Sequence, residues 1–463
     1  MSFADERNLL DWLLVRWGHG HRRRSVHWRA PFSRVCISFL GELGMPSNLE
    51  SSPHTGSPRN LPPVRMPVAV AGIAAAPPAI TFVAKFADGG REVFGPGEPA
   101  FEIQVSTPKR LSELLTGNAY STAMAFVRGE FSMTGDLAAA IRYHRSSRGA
   151  HFWDSLRLGR AYLSGVGAEI WPQPRERTAR DIRYHYDLPT EFYRQFLDSR
   201  LVYSCAYFRS PKDALDRAQL AKLDLICRKL DLREGETFLD AGCGWGALII
   251  HAAERYGAIA TGCTLSRQQF EIAARLSEAY SAKCKLTPLL RDYRDLAGRF
   301  HKIASVGMFE HVAGRDVNRY FAKLFSLLPP GGLLLNHAIL RPVYSRRNLE
   351  TIFLRRKVFP GSHLSSLAEV IRSAEGVGFE VLDVENLRPH YALTLHAWLR
   401  NLQERVAECL RLVGEATYRT WLIAFAAAEA NFADGYMNVH QVLLRKPGAP
   451  GSRRLTRSYL AGV

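Results

Sequence analysis

From Thr237 onward the chain alternates strand-like and helix-like segments, which predicts an α/β fold built on a doubly wound, mostly parallel sheet. A glycine-rich turn stands between the first of these strands and its helix, the place where such sheets bind ligands. Upstream, strand-like runs between Ile80 and Phe86 and between Phe101 and Val105 lead into helical material around Leu111 and Leu137, which predicts a separate small α+β domain.

Taken in order, residues 1–65 mix an arginine cluster (Arg22, Arg23, Arg24) with a Pro/Ser/Gly-rich stretch and carry no sustained periodicity, so a disordered extension is expected. Met66 is a candidate alternative start. The small domain is assigned to 66–145, with turns at Asp88-Gly89-Gly90 and Gly95-Pro96-Gly97, and an Arg/Gly/Pro-rich connector to 146–180. The large domain runs over 181–447, followed by a basic tail at 448–463. Its expected elements are strand Thr237 to Ala241, a helix to Arg255, strand Ile259 to Leu265, a helix from Ser266, strand Lys285 to Leu290, strand Ile303 to Val306, a helix from Arg315 to Leu328, and strand Leu333 to Ala338 after a Pro-Pro-Gly-Gly turn. Ser266 with Gln269, and Ser366 with Glu369, have capping-box spacing, which predicts a helix start after each serine.

The composition bounds the function. With 463 residues, 47% hydrophobic and 23% charged, the chain is long enough for a large core and reads as a packed globular protein. Seven cysteines without a CxxC pair indicate a reducing compartment and no metal site of the zinc-finger kind. Apolar runs are broken at Pro77-Pro78 and at Glu429, so no membrane span is expected, and the N-terminal charge order does not suit a signal peptide. A cytoplasmic protein is expected. The net charge of +17 favours anionic partners, and without nucleic-acid motifs an anionic membrane surface is preferred to nucleic acid, beside the plainer reading of a solvated basic surface.

The turn Asp240-Ala241-Gly242-Cys243-Gly244-Trp245-Gly246 carries the strongest local signal. Its glycines let the backbone bend and approach a ligand, and the following helix offers unpaired N–H groups, so a nucleotide-like cofactor is expected there. A nicotinamide dinucleotide would want an acid at the end of the next strand; the chain has Cys263-Thr264-Leu265-Ser266 instead. Thr264 and Gln269 supply hydroxyl and amide hydrogen bonds in place of that carboxylate, and Asp292-Tyr293 flank an adenine, unless Ser266, Gln269 and Asp292 serve only as caps and turns.

Several further blocks are similar to the cyclopropane-fatty-acyl-phospholipid synthase family, which includes the mycolic acid cyclopropane synthases. They are Tyr184-His185-Tyr186-Asp187-Leu188, Phe192-Tyr193, Leu197-Asp198, Tyr203-Ser204-Cys205-Ala206-Tyr207-Phe208, and Ala218-Gln219 with Lys222. The glycine loop, Thr264-Leu265-Ser266 with Gln269, Ser305 to Val312, Phe359-Pro360-Gly361 and His390 to Leu395 continue the match, from about Arg183 to Lys446. Residues 80–145 more loosely resemble the N-terminal domain of full-length bacterial members.

The resemblance implies a Rossmann-like class I methyltransferase with a seven-stranded sheet, S-adenosylmethionine as methyl donor, and the double bond of an unsaturated phospholipid acyl chain as acceptor. It adds Tyr203 and Ser204 to the donor-binding residues. Methyl transfer to an alkene leaves a carbocation that must lose a proton. Tyr186, Tyr203, Trp245 and Phe309 are the candidate aromatic faces for positive charge. Cys205, Glu310, His337, Ile339 (through its backbone) and Tyr391 match the family's site for a bicarbonate ion acting as base. Read alone, Glu310-His311 at a strand end is an acid–base or capping pair, Cys205 a small buried hydrophobe and His337 a core histidine.

One departure stands out. Ala428 occupies the place where several members carry a cysteine, so that thiol is dispensable here or the chain runs a variant reaction, methylation without ring closure. Cys263 and His301 stand where Val and Asp are expected, changes of small consequence. Partners expected from the resemblance and charge are a membrane surface with unsaturated phospholipids, a homodimer being compatible, and peripheral attachment to the inner face of the membrane. The competing readings are an N-methyltransferase of small amines and a lipid- or cofactor-binding relative that has lost catalysis.

Overall fold

A computed structural model of the chain describes residues 80–146, 188–343, 349–448 and 456–460; the expectations for 1–65, for Tyr186, for the connector beyond Ser146 and for most of the basic tail lie outside them. The small domain is a four-stranded sheet, β1 (Phe82–Phe86), β2 (Arg91–Phe94), β3 (Phe101–Val105) and β4 (Ser132–Gly135), in the order β2-β1-β3-β4. Register explains its core: Phe82 lies opposite both Phe94 and Phe101, and the three rings stack at 4.8 and 4.9 Å. Helices α1 (Pro108–Thr116), α2 (Ala119–Val127) and α3 (Leu137–Ser146) complete this unit. The side chains of Thr107 and Asn118 cap the first two, each accepting a hydrogen bond from the first-turn backbone.

The large sheet has seven strands: β5 (Thr237–Ala241), β6 (Ile259–Thr264), β7 (Leu286–Leu290), β8 (Lys302–Val306), β9 (Leu333–Leu340), β10 (Glu380–Asn386) and β11 (Asn438–Arg445). Their order is β10-β11-β9-β8-β5-β6-β7, and all pair in parallel except β11, which is antiparallel to both neighbours. The central strands are apolar on both faces because helices cover both, as a doubly wound sheet requires. The chain order reverses between β5 and β8, so the loops after these two strands diverge and open a crevice at their carboxyl ends.

Around this sheet lie α4 (Thr190–Arg194), α5 (Leu215–Lys229), α6 (Ala247–Tyr256), α7 (Arg267–Tyr280), α8 (Val317–Ser326), α9 (Leu349–Lys357), α10 (Leu367–Val377), α11 (Arg388–Glu404) and α12 (Val406–Ala433). Helix α12 breaks at Gly414, whose backbone leaves helical geometry. Ser366 and Glu369 form the expected reciprocal capping box of α10. Ser266 caps α7, but Gln269 does not reciprocate; its carbonyl accepts instead from the Thr264 hydroxyl at 2.8 Å.

The small domain seats on α12. Arg145 of α3 donates to Asp434 (2.8 Å) and Asn431 (3.0 Å) and lies over the Tyr436 ring, while Arg419 of α12 donates to the carbonyls of Phe126 and Phe131. Near the C-terminus, Arg457 and Tyr459 both donate to Asp383 on β10. No helix among the described residues is long and apolar enough to cross a membrane.

Candidate active site

Two cavities meet at the carboxyl end of the large sheet. The first, of about 160 Å³, is walled by the turn after β5, the ends of β6 and β7, and the loop after β8. It gathers most of the expected donor-binding residues: Tyr203, Ser204, Asp240, Gly242, Cys243, Gly244, Trp245, Thr264, Leu265, Gln269, Asp292 and Tyr293. Ala241, Gly246 and Ser266 line neither cavity. Ala241 is a buried strand residue, a Cβ on Gly246 would meet Ala273 at 3.2 Å where α6 and α7 touch, and Ser266 serves as a cap. Asp292 caps the turn Tyr293–Asp295 and is paired with Arg294, so its carboxylate is largely committed within the wall. His301 lies away from both cavities, hydrogen-bonded to Thr237 at the start of β5.

The residues fit an S-adenosylmethionine molecule in this cleft. Gly244 has a positive φ of 54°, and a Cβ built on it meets nothing within 4 Å, so the backbone edge is open to a ligand. Two buried polar atoms in the wall, Asp240 Oδ1 and Trp245 Nε1, have no hydrogen-bond partner in the protein. Buried polar groups of that kind are ordinarily satisfied, which marks them as groups for a bound molecule.

The second cavity, of about 100 Å³, shares Tyr203, Ser204, Gly307 and His311 with the first. Gly307 holds a φ of 68° in the loop after β8, and its built Cβ would approach only Ser204, at 4.0 Å. A side chain there would project into the junction. Burial holds the neighbouring His311 neutral, its pKa pushed down to about 4.

All five residues expected around the anion, Cys205, Glu310, His337, Ile339 and Tyr391, line this second cavity, as does Ala428. Glu310 Oε1 accepts from the Ile339 N–H at 2.7 Å, and Oε2 is buried without a partner. The Ile339 amide is thus committed to the carboxylate, so its part is to position Glu310. Burial lifts the Glu310 pKa to about 7, which leaves a proton available to donate to an anion near neutral pH. His337 is held neutral, and its Nδ1 lies 3.1 Å from the Gln441 amide. Cys205 turns its thiol to the carbonyls of Ala206 and Leu387, and burial pushes its pKa well up, so it is no nucleophile. A neutral imidazole, a protonated carboxyl and a phenol form a donor set that suits a small oxyanion such as bicarbonate. Among the described residues no group of three His, Cys, Asp or Glu could hold a metal.

Beyond these groups, and apart from Arg355 and Ser362, the cavity is apolar and aromatic. Tyr203 lies 5.2 Å from Trp398, Trp398 lies 5.5 Å from Phe425, and Tyr391 lies 4.5 Å from Phe432. Phe309, expected to face positive charge, does not reach either cavity; it packs on Tyr320 at 5.1 Å in the core beneath β8 and β9. Trp245 lines the first cavity and packs on Tyr193 at 5.1 Å. The sequence reading passed over Trp398, Phe425 and Phe432, although a signal exists: Tyr391, Leu395 and Trp398 recur at helical spacing on α11, and Phe425, Ala428 and Phe432 on α12.

Comparisons with known proteins agree with this architecture. The family model described as mycolic acid cyclopropane synthetase matches residues 173–442. A probable fatty acid methyltransferase of Pseudomonas putida is 39% identical over 386 residues, covering 80% of this chain and 93% of that protein. Cyclopropane mycolic acid synthase 3 of Mycobacterium tuberculosis is 33% identical over 277 residues, 58% of this chain and 96% of the relative. Among solved structures, a cyclopropane synthase of Mycobacterium tuberculosis aligns with a TM-score of 0.57 at 32% identity, over 59% of this chain and 99% of its own. A mycolic acid cyclopropane synthase in complex with SAH and CTAB aligns equally well, with the same TM-score, identity and coverage. Coclaurine N-methyltransferase shares the fold at 20% identity, with a TM-score of 0.52 over 71% of this chain and 100% of its own. With its donor cleft, its aromatic second cavity and these relatives, the chain belongs to the mycolic acid cyclopropane synthetase family and is an S-adenosylmethionine-dependent methyltransferase of the cyclopropane fatty acid synthase type.

Proposed function

We propose that the chain methylates the double bond of an unsaturated phospholipid acyl chain at an anionic membrane surface, giving a cyclopropane or a methyl- or methylene-branched fatty acid. The observation that carries this reading is the junction itself: a cleft suited to a polar, charged donor opens at Tyr203, Ser204, Gly307 and His311 onto a cavity of mostly apolar, aromatic lining. S-adenosylmethionine supplies an electrophilic sulfonium methyl group when bound in the first cavity. Tyr203, Trp398 and Phe425 surround the acyl carbons with electron-rich faces that favour positive charge and exclude water. Glu310, His337, Tyr391 and Cys205 hold bicarbonate beside them as proton acceptor, with the Ile339 amide keeping Glu310 in place.

The net charge of +17 supports attraction to anionic headgroups, and the probable fatty acid methyltransferase among the relatives supports an acyl acceptor. Small-amine methylation needs neither an apolar channel nor a carboxyl–imidazole–phenol anion site, since an amine loses its own proton to solvent. The test is incubation of purified protein with methyl-labelled S-adenosylmethionine and liposomes of mono-unsaturated phospholipid, followed by mass spectrometry of the released fatty acids. A gain of one CH₂ is expected. Labelling of free amines with no labelled lipid would replace this reading with the amine one.

A further inference from the structure

His337 has no acidic partner among the described residues. It stands on β9, and its register partner on the antiparallel β11 is Gln441; the two are 2% and 1% exposed. Residues directly opposite in such a ladder point to the same face of the sheet, so the two side chains meet in the interior. The Gln441 amide Nε2 lies 3.1 Å from His337 Nδ1. Glu385 of β10 continues the row, opposite Gln441 on its other side. Its carboxylate is taken by Lys229 of α5, and two strand spacings, roughly 10 Å, set it apart from the imidazole. Burial keeps the His337 ring neutral, and the ammonium groups of Lys222 and Lys229 and the imidazole of His440 oppose a second proton further.

A neutral imidazole carries one N–H, and the group facing one ring nitrogen decides which nitrogen holds it. With the Gln441 amide donating, Nδ1 is the acceptor and the proton sits on Nε2. His337 lines the second cavity, and Nε2 makes no hydrogen bond with the described residues, so its proton is left for whatever the cavity holds. The reverse amide orientation would put the proton on Nδ1 and turn a bare lone pair toward the cavity, which repels an anion. It would also leave both protons of the buried amide unmet, whereas donation to Nδ1 uses one of them and leaves Oε1 without a partner. An unmet carbonyl is tolerated better than an unmet N–H. A carboxylate in place of this amide would accept from Nδ1–H and strip the cavity side of its donor. The amide orients the ring without that effect.

We infer that Gln441 is a positioning residue: by donating to Nδ1 it fixes His337 as the tautomer whose Nε2–H is offered to the cavity, where it holds the oxyanion. The oxyanion rests on the function proposed above; the tautomer does not. The experiment labels the full chain with heavy-nitrogen histidine and reads the two ring nitrogens of His337 by long-range proton–nitrogen correlation, assigned by difference from His337→Gln. Wild type, Gln441→Met and Gln441→Glu are compared, and each is assayed for lipid methylation against bicarbonate added to carbonate-free buffer. Wild type is expected to show Nε2 protonated and Nδ1 bare. Gln441→Met keeps the length of the side chain but cannot donate, and is expected to raise the half-saturating bicarbonate about 10-fold. Its S-adenosylhomocysteine affinity is expected to stay within about 2-fold of wild type. Gln441→Glu is expected to move the proton to Nδ1 and to raise the bicarbonate requirement further. A protonated Nδ1 in wild type overturns the inference whether or not either variant folds. An unchanged bicarbonate requirement in Gln441→Met overturns it too, as does an equal loss of S-adenosylhomocysteine affinity, which would mark Gln441 as a support of the sheet. Wild-type methylation with no response to bicarbonate would instead remove the oxyanion from the proposed function and the role of Nε2–H with it, while the spectrum still decides the tautomer.

Discussion

The backbone N–H of Ile339, on strand β9, donates to Glu310 Oε1 at 2.7 Å and so leaves the second carboxyl oxygen buried without a protein partner at the wall of the aromatic cavity. A strand amide spent on a side chain rather than on the sheet fixes the carboxyl to the most rigid part of the fold. Replacing Glu310 by Gln keeps that hydrogen bond but removes a proton that can be passed on. Turnover is expected to fall by about 10²-fold or more while S-adenosylhomocysteine affinity stays unchanged, measured by lipid methylation and by calorimetry.

The same substitution has a pH signature in stability. Glu310 is raised by burial from 4.5 to about 7, so the folded state holds this proton through a range where the unfolded chain has lost it. Stability from this group is therefore full below about pH 4.5 and is lost as pH rises through 7. Relative to their difference near pH 4, where Glu310 is protonated in both folded and unfolded chains, the variant is expected to gain on the order of 3 kcal/mol over wild type at pH 8, read from denaturant midpoints at both values.

Ala428 lines the channel between Phe425 and Phe432 on one face of α12. Ala428→Phe places a ring in the space the proposed acyl chain would occupy. Lipid methylation is expected to fall at least roughly 10-fold, with S-adenosylhomocysteine binding within about 2-fold of wild type, since the donor cleft does not include this residue. Ala428→Cys, in contrast, is expected to leave both product and rate near those of wild type if Glu310 and His337, which line the same cavity, carry the proton chemistry proposed above.

Gly244 combines a left-handed backbone with an open surface on the donor cleft. Gly244→Ala costs about 1–2 kcal/mol from backbone strain alone and puts a methyl group against the bound donor. A drop in S-adenosylhomocysteine affinity of about 10-fold or more is expected, larger than the change in melting would explain.

Arg145 joins the small domain to the large one through Asp434, Asn431 and the Tyr436 ring. Arg145→Ala is expected to cost about 1–2 kcal/mol, since the group is partly exposed and its ion pair partly screened. Thermal melting with and without 0.5 M salt checks this: the gap between variant and wild type should narrow in salt, on the order of 0.5 kcal/mol.

The central sheet was legible because β5, β6, β8 and β9 are apolar runs bounded by Gly, Pro and polar turns, and the glycine turn after β5 marked the donor cleft. The loop after β8 was legible in part. Glu310 belongs to the cavity wall, but Phe309, its neighbour, points into the core, because successive residues of a tight helical turn face different ways. Lys222 stood in the sequence as one of several polar residues on α5, where a lysine usually reaches solvent; its burial depends on Ser204 and Asp240, which come from two other segments. The aromatic lining is illegible for a similar reason, since α11 and the second half of α12 carry apolar residues for both core and channel, and the two faces are told apart only once both helices are packed.

Helix α12 presents Phe425, Ala428 and Phe432 to the channel and, on its other side, Ile423 and Ala427 to the small domain. It is a party wall. Residues of β3, α1 and α3 back this wall from the side away from the channel, so a change in their packing would be felt in the channel's width without any of them lining it.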